Sequence, residues 1–374
     1  MRILIAPDKF KGSLSAQEVS DNIALGIRDV ISGAEIEITP MADGGEGTAE
    51  AIGRARGGKW VTCSTKGPLG DPIEASYVWL GESAVMEMSE AAGIRRLKNG
   101  ARDVLRANTF GVGEMLRDAA KRGARSVIIG LGGSATNDGG LGMARALGFR
   151  FLGESENEII DVAQLVELAR IEKPGAGAVT HSKNGRLADP PLQHAKIIAA
   201  VDVKNPLLGL NGATHTFGPQ KGATRDQLEL LERSLTHLAD TVTKDLGCDF
   251  RNNPGAGAAG GLGFGLMSFC DAKVRPGFEV VAETVALEEK IKHADVIITG
   301  EGKLDNQTLE GKTPAGVAGL ARKFGKRVFA IVGRAEANSS ARDLFDGVYE
   351  LAGAIPEAKK LLQERARELA ATLK

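Results

Sequence analysis

The sequence predicts an α/β protein of two domains. At both ends of the chain, short apolar runs alternate with segments of helical periodicity, a pattern typical of a parallel sheet covered by helices. Between residues 60 and 88 the pattern changes to short alternating runs broken by Gly-Pro and Asp-Pro turns, which indicates antiparallel strands. A chain of 374 residues is also long enough for two hydrophobic cores.

Each element is predicted from its own pattern. Residues 3–5 are an apolar run that predicts a strand, and Val19, Ile23 and Ile27 recur at helical spacing within residues 16–30. Ser15 and Glu18 have the spacing of a capping box, so we expect this helix to begin at residue 16. Similar patterns predict strands at 35–38, 127–129, 196–203 and 327–332, a strand pair within 149–160, and helices at 105–122, 162–171, 226–246, 280–292 and 356–374.

Composition and charge exclude several classes of partner. The formal net charge of −1 gives no general electrostatic attraction for nucleic acid or an anionic membrane. The N-terminal apolar run is too short for a signal peptide, and the uncharged stretch at 252–270 contains six glycines, which suits a membrane span poorly. Three widely separated cysteines indicate neither a disulfide framework nor a zinc site. We therefore expect a cytoplasmic protein with no nucleic-acid and no membrane partner.

Residues 126–148 have the pattern of a strand, a glycine-dense loop and a helix in immediate succession. Glycines allow backbone N–H groups to approach a ligand closely, and a loop before a helix favours an anion. The loop therefore contains one candidate catalytic carboxylate, Asp138, and several candidates for binding phosphate. These are Gly132, Gly133, Ser134 and Asn137. The alternative interpretation is a tight turn in which Asn137 or Asp138 only caps the helix.

Two further loops follow the first and second predicted strands. Lys9, Lys11 and Ser13 follow the first strand, at the edge where open α/β sheets bind ligands, and the alternative is that the lysines are simply solvated. The second loop combines carboxylates with glycines, which suits Mg²⁺ or a hydroxyl-bearing substrate, and the alternative there is a capped helix start. Its candidate binding residues are Asp43, Gly44, Gly45 and Glu46.

Two later strands are also followed by charged groups. The predicted strand at 196–203 ends near Asp202, with Lys221 further on, and the apolar run at 296–299 is followed by Lys303 and Asp305. Phosphoryl transfer needs lysines for phosphates, carboxylates for Mg²⁺ and a base for the attacking hydroxyl, and these loops supply such a set. The sequence does not divide the roles of base and metal ligand among Asp138, Asp202 and Asp305.

Neither standard nucleotide-binding motif is complete. The Gly-Lys-Thr segment at 311–313 lacks the first glycine of a P-loop. A G-x-G-x-x-A pattern at 130–135 does follow a predicted strand, with Glu154 about 20 residues later, so an NAD(P)-dependent oxidoreductase is a second possible enzyme class. A ligand-binding protein without catalysis is a third interpretation, which the number of lysines and carboxylates at strand ends disfavours.

Six motifs together carry a family resemblance. In chain order they are APDKFKGSLSA, MADGGEGT, GLGGSATNDGGLGMARALG, VDVKNPLLG with FGPQKGA, PGAGAAGGLGFG, and TGEGKLDNQTLEGKTPAGVA. They span residues 6 to 318 without an evident gap, and together they resemble the bacterial glycerate kinase family that includes the glycerate 2-kinases. The resemblance implies phosphorylation of D-glycerate to 2-phosphoglycerate, with ATP and Mg²⁺. Phosphorylation of the 3-hydroxyl, which would give 3-phosphoglycerate, is the alternative regiochemistry.

The resemblance also implies an architecture and places the candidate residues in roles. It implies a flavodoxin/Rossmann-like parallel-sheet domain formed by both chain ends and an inserted mixed-sheet α/β domain. The change of strand pattern near residue 65 and the return of the β/α pattern near residue 281 place the first domain at 1–64 plus 282–374 and the inserted domain at 65–281. The active site is expected in the cleft between the domains, and the protein is expected to be a monomer or homodimer. Asp138, Asp202 and Lys9 are the catalytic candidates, Asp202 and Asp305 the metal-ligand candidates, and the other residues named above are candidates for binding substrate or phosphate.

Overall fold

The structure, a computed structural model, describes residues 1–97, 101–175, 195–351 and 355–374. These residues form two compact units. They are a terminal unit, consisting of Met1–Gly57 with Pro276–Lys374, and an internal unit, consisting of Gly58–Arg275. The terminal unit is therefore built from both ends of the chain.

The strands and helices are numbered in chain order. The strands are β1 (Arg2–Ile5), β2 (Glu35–Ile38), β3 (Lys59–Lys66), β4 (Pro72–Trp79), β5 (Ser83–Glu87), β6 (Ser126–Gly130), β7 (Arg150–Gly153), β8 (Leu168–Glu172), β9 (Lys196–Val201), β10 (Lys273–Pro276), β11 (Val296–Thr299), β12 (Lys303–Leu304), β13 (Arg327–Val332), β14 (Arg334–Ala335) and β15 (Gly347–Glu350). The α-helices are α1 (Ala16–Val30), α2 (Thr48–Arg56), α3 (Ser89–Ala92), α4 (Phe110–Lys121), α5 (Leu141–Ala146), α6 (Ala213–Phe217), α7 (Arg225–Leu246), α8 (Ala258–Cys270), α9 (Gly277–Thr284), α10 (Leu287–His293), α11 (Thr313–Lys323) and α12 (Ala358–Ala371). Short 3-10 helices include Ile94–Arg96, Val162–Glu167, Pro219–Lys221, Asn306–Glu310, Ser340–Leu344 and Ile355–Glu357. The expected domain boundaries at 64/65 and 281/282 fall within β3 and α9.

The terminal unit contains a five-stranded sheet in the order β15-β13-β11-β1-β2, and every pair in it is parallel. Helix α1 begins where the capping box predicted it, with Ser15 and Glu18 bonded reciprocally. A Cβ on Gly26 of α1 would lie 2.4 Å from Gln363 O of α12, so glycine is required for the two helices to lie this close. The chain passes from β1 to β2 on one side and returns with β11 on the other. The strand order therefore reverses between β1 and β11, which is where open sheets of this kind bind ligands.

The internal unit contains a six-stranded mixed sheet in the order β10-β9-β6-β5-β4-β3. The pairs β3–β4 and β4–β5 are antiparallel, as the alternating pattern at 60–88 predicted, whereas β5–β6 and β6–β9 are parallel. The carboxyl ends of β5, β6 and β9 therefore meet at one edge of the sheet. Both units thus confirm the predicted α/β fold class.

Three predicted elements differ from the structure. The region 149–160, where a strand pair was expected, contains one strand, β7, which pairs with β8. The helix expected at 162–171 is a short 3-10 helix followed by β8, because Ile171 pairs with Phe151 of β7 and its N–H donates to Asp245 Oδ2. Apolar residues spaced by three fit either structure, and the tertiary pairing decides between them. The helix expected at 280–292 is divided into α9 and α10 at Ala286, whose φ is 54°. Within the described ranges, no helix is long and apolar enough to cross a membrane.

Candidate active site

The glycine-rich loop of the internal unit follows β6 and is anchored on both sides. The N–H of Leu131 donates to Ala200 O of β9 (3.1 Å), and the N–H of Ala135 donates to Ala92 O (2.9 Å). Between these anchors, the N–H groups of Gly132, Gly133 and Ser134 donate to no other residue that the structure describes. Gly133 has φ +71°, a left-handed conformation that suits glycine. Three adjacent donors without an acceptor, on a loop where β6 ends, form a site suited to an anion.

Asp138 lies behind this loop and is fully buried. Its Oδ2 accepts hydrogen bonds from Thr109 N (2.8 Å), Thr109 Oγ1 (2.8 Å) and Gly142 N (3.0 Å), and its Oδ1 accepts one from Gly140 N (3.2 Å). Burial raises the pKa of Asp138, and these donors oppose that rise. A carboxylate with this many protein donors orders the turn before α5. The geometry therefore favours a positioning role over the catalytic role expected from the sequence.

Lys221 is also buried, with 2% of its surface exposed. Its Nζ donates to Thr136 O at 2.7 Å, and burial lowers its pKa to about 7 although nearby Asp138 acts in the opposite direction. In this structure Lys221 is therefore a buried donor to the backbone of the glycine-rich loop. Beside it, Asn137 Nδ2 donates to Thr214 Oγ1 (3.1 Å), while Thr136 Oγ1 and Asn137 Oδ1 have no hydrogen-bond partner in the described part of the chain.

Asp202 and one carboxylate that the sequence analysis missed lie at the same edge of the internal sheet. Asp202 is exposed and follows β9, in which Ala200 is paired with Gly130 of β6. Glu87 is the buried last residue of β5 and is paired with Gly130 from the other side. The two carboxylates therefore flank the strand that leads into the glycine-rich loop. The sequence shows that Glu87 ends an apolar run, but the parallel pairing of this strand with β6 is a feature of the fold that the sequence did not predict.

In the terminal unit, Asp8 follows β1 and was not among the predicted site residues. Its Oδ2 accepts a hydrogen bond from Thr313 Oγ1 (2.7 Å), its Oδ1 accepts one from Lys9 N (2.7 Å), and Lys9 Nζ lies 3.8 Å from Oδ1. Burial and the charge of Asp43 raise the pKa of Asp8 to about 6, against the opposing effects of Lys9 and Thr313. Asp8 is therefore a buried carboxylate beside a lysine, at the reversal of the strand order.

The loops after β1 and β2 are joined through Lys9, whose Nζ donates to Glu46 O at 2.6 Å. In the second loop, Asp43 Oδ1 accepts a hydrogen bond from Gly45 N (3.3 Å). A Cβ on Gly277 would lie 1.9 Å from Asp43 O, so this loop is held against the start of α9 by a glycine. The structure thus brings together Lys9 and the predicted residues Asp43, Gly44, Gly45 and Glu46. Lys11, which is exposed, and Ser13, which is half-buried, lie on the adjacent turn.

A third loop follows β11 and contains Glu301, which the sequence analysis did not select. Glu301 Oε1 accepts a hydrogen bond from Thr308 Oγ1 (2.6 Å), and burial raises the pKa of Glu301 to about 7, with Asp8 contributing to the rise. Asp305 Oδ2 lies 3.0 Å from Lys303 Nζ, and Asp305 Oδ1 accepts a hydrogen bond from Gln307 N. Burial acts to raise the pKa of Asp305, but the pairing with lysines outweighs it and the pKa is lowered. Asp305 is therefore a salt-bridged helix cap, a geometry that favours a metal-ligand role less than the sequence suggested.

The chain matches the description "Glycerate kinase family" over residues 3–374. It belongs to the glycerate kinase family. It is 41% identical to the glycerate kinase of Bacillus subtilis, covering 100% of this chain and 98% of that protein, and 42% identical to the glycerate 2-kinase of Escherichia coli K12, covering 89% and 85%. The crystal structure of glycerate kinase 2 from Salmonella typhimurium LT2 superposes with a TM-score of 0.86 at 40% identity, covering 100% of this chain and 98% of that chain.

Membership of the glycerate kinase family makes the protein a kinase and favours this class over the oxidoreductase that the pattern at 130–135 left open. It also confirms the resemblance carried by the six motifs.

A cavity of about 150 Å³ in the terminal unit is lined in part by Asp8, Lys9 and Glu46. A larger cavity of about 660 Å³ in the internal unit has none of the predicted site residues in its lining. The charged loops, and not the size of a cavity, therefore identify the candidate site of this glycerate kinase family member.

A Mg²⁺ ion needs oxygen ligands, which carboxylates in the charged loops are able to supply. No group of three or more His, Cys, Asp or Glu side chains with metal-binding geometry occurs in the described parts of the chain. Mg²⁺ is usually held by one or two protein carboxylates together with phosphate oxygens and water, so a smaller set is sufficient. Asp202, which is exposed at the edge that carries the glycine-rich loop, fits this requirement.

Proposed function

We propose that this protein transfers the γ-phosphoryl group of ATP to the 2-hydroxyl of D-glycerate in a Mg²⁺-dependent reaction. The observation that carries the proposal is Asp8, a buried carboxylate with a pKa of about 6 that lies beside Lys9 where the strand order of the terminal sheet reverses. A carboxylate with a pKa just below neutrality is mostly deprotonated at pH 7, yet basic enough to accept a proton during the reaction. Family membership supports the proposal independently.

The glycine-rich loop of the internal unit is the proposed site of the ATP phosphates. The N–H groups of Gly132, Gly133 and Ser134 form adjacent donors, and a polyphosphate presents several oxygens to such a row. When Mg²⁺ is bound, its charge offsets the negative charge of the phosphates. Asp202 is the proposed protein ligand, and Asp305, with its lysine partners, is the weaker candidate.

The charged loops of the terminal unit are the proposed site of D-glycerate. The ammonium group of Lys9 supplies positive charge for the carboxylate of glycerate, and the nearby cavity of about 150 Å³ is large enough for a three-carbon acid. Asp8 accepts the proton of the attacking hydroxyl. The hydroxyl oxygen then forms a bond to the γ-phosphorus while the bond from that phosphorus to the β,γ-bridging oxygen breaks, and ADP leaves with the electron pair.

The experiment that tests this function is ³¹P NMR of the purified protein with Mg-ATP and D-glycerate. The expected spectrum shows loss of the γ-phosphate signal of ATP and growth of ADP and 2-phosphoglycerate. A 3-phosphoglycerate signal would retain the kinase reaction but contradict the proposed regiochemistry. ATP that remains unchanged, in a sample whose folding is verified by circular dichroism, would contradict the proposed reaction.

A further inference from the structure

Lys221 is a buried cation, and its position in the fold indicates a specific role. It is the last residue of the 3-10 helix Pro219–Lys221, and Gly222 after it has φ +92°. Only 2% of its surface is exposed, so removing its ammonium group from water costs desolvation free energy. The one hydrogen-bond acceptor that the structure gives it is Thr136 O, at 2.7 Å. A buried lysine is retained at this cost where its charge or its donors are needed.

The carbonyl of Thr136 is held from two sides. Lys221 Nζ donates to it, and the backbone of Gly260 packs against it so closely that a Cβ at Gly260 would lie 2.0 Å from the oxygen. Gly260 has φ +69°, and its own carbonyl accepts a hydrogen bond from Gly139 N (3.0 Å). The glycine-dense segment that begins α8 therefore serves as a backbone support for the loop at 132–140, which explains its composition without a nucleotide-binding role.

The orientation of the Thr136 carbonyl also fixes the direction of the other polar group of the same peptide, the N–H of Asn137. In a trans peptide the C=O and N–H groups point in opposite directions, so holding Thr136 O towards Lys221 turns the N–H of Asn137 away from it. That N–H donates to no residue in the described ranges, and Asn137 Oδ1 and Thr136 Oγ1 are also unpaired there although both residues are fully buried. Buried polar groups are normally paired, so this part of the loop is organised for a group that the protein chain does not supply.

We propose that Lys221 is a positioning residue that holds the glycine-rich loop in the conformation that binds the ATP phosphates. This rests on the proposed function of that loop. The charged groups that face Lys221 or its turn are the carboxylate of Asp138 and the guanidinium of Arg102, which donates to Gln220 O (2.8 Å). Lys221 does not contact the nucleotide. It acts through the peptide of Thr136.

Replacement of Lys221 by Met, which keeps the length and removes the donors, tests this assignment. Because a hydrogen bond from a charged donor is lost, the Kd for Mg-ATP, measured by calorimetry without glycerate, should rise about tenfold or more, while the KM for glycerate changes less than about twofold. Lys196→Met, at an exposed position on the opposite end of β9, is the matched control and should alter neither constant. Propylammonium added to Lys221→Ala should restore part of the ATP affinity.

A second measurement uses the wild-type protein and therefore does not depend on the folding of a variant. Its Kd for Mg-ATP should rise between pH 6 and pH 9, because the neutral amine is a weaker donor to Thr136 O than the ammonium group. A constant Kd over this range, or a Lys221→Met protein that binds ATP like the wild type, would overturn the assignment. Because calorimetry measures binding alone, these results hold even if D-glycerate proves not to be the acceptor. Failure of the proposed function would instead show as a wild-type protein that binds ATP but transfers no phosphoryl group to glycerate.

Discussion

Thr313 Oγ1 donates a hydrogen bond of 2.7 Å to Asp8 Oδ2, although the two residues are 305 positions apart in the sequence. Asp8 follows β1, and Thr313 is the first residue of α11, which follows the β11 loop. The bond therefore connects the two sides of the point at which the strand order reverses. It fixes the orientation of the carboxylate and stabilises its ionised form, which is the form required of a base.

Replacement of Asp8 by Asn should lower kcat by about 10²- to 10⁴-fold, because the amide cannot accept the proton of the attacking hydroxyl. The KM for ATP should change little, since the proposed phosphate site lies in the internal unit. Steady-state kinetics with a coupled ADP assay measures both. Asp21→Asn, at an exposed position on α1, is the matched control and should behave like the wild type. An Asp8→Asn protein with at least a tenth of wild-type kcat would show that Asp8 is not the base.

Replacement of Thr313 by Val should move the acidic limb of the pH dependence of kcat/KM to higher pH. The hydroxyl of Thr313 lowers the pKa of Asp8, so its removal raises that pKa above about 6, and the shift expected from one such bond is about one pH unit. Thr284→Val, which removes a hydroxyl bonded to Val280 O, is the control. If the limb stays in place in Thr313→Val, the titrating group is not Asp8.

The sequence predicts the parts of the fold that depend on local pattern. The capping box at Ser15 and Glu18 placed the start of α1, and the strand at 35–38 coincides with β2. The region at 149–171 was predicted poorly, because pairing between β7 and β8 is a tertiary interaction that apolar spacing does not encode.

The sequence predicted which loops form the candidate site, but it did not predict all of the residues in them. Lys9, Asp43 and Glu46 were selected because their loops follow strands, and the structure brings those loops together. Asp8 and Glu301 were passed over because their distinguishing property is burial beside other charges, which depends on the arrangement of β1 and β11 in the sheet. Lys221 was selected for its charge, whereas its burial, on which the proposed positioning role rests, depends on the fold.

Replacement of Asp138 by Asn separates a positioning role from a catalytic one. The amide would place an N–H₂ group against backbone donors that now point at the carboxylate, and an unsatisfied buried donor costs about 1–3 kcal/mol of folding free energy. The melting temperature should therefore fall by several degrees. Asp21→Asn, at an exposed position on α1, should leave it unchanged. A stable Asp138→Asn protein that has lost its kcat would instead support the catalytic role.

The stability of the protein should rise with pH above neutrality because of Lys221. Burial lowers the pKa of Lys221 in the folded state to about 7, below its ordinary value of 10.5. Between these two pKa values the unfolded state binds the proton and the folded state does not. The free energy of unfolding therefore increases with pH in this window. Below pH 7 Lys221 is protonated in both states, so its contribution no longer changes with pH. Thermal melts of the wild type and Lys221→Met from pH 6 to pH 9 measure the difference. The melting temperature of the wild type relative to the variant should increase by on the order of 5 °C over that range. Parallel curves for the two proteins would mean that Lys221 keeps its proton when folded, and that the attraction of the Asp138 charge outweighs the cost of burial.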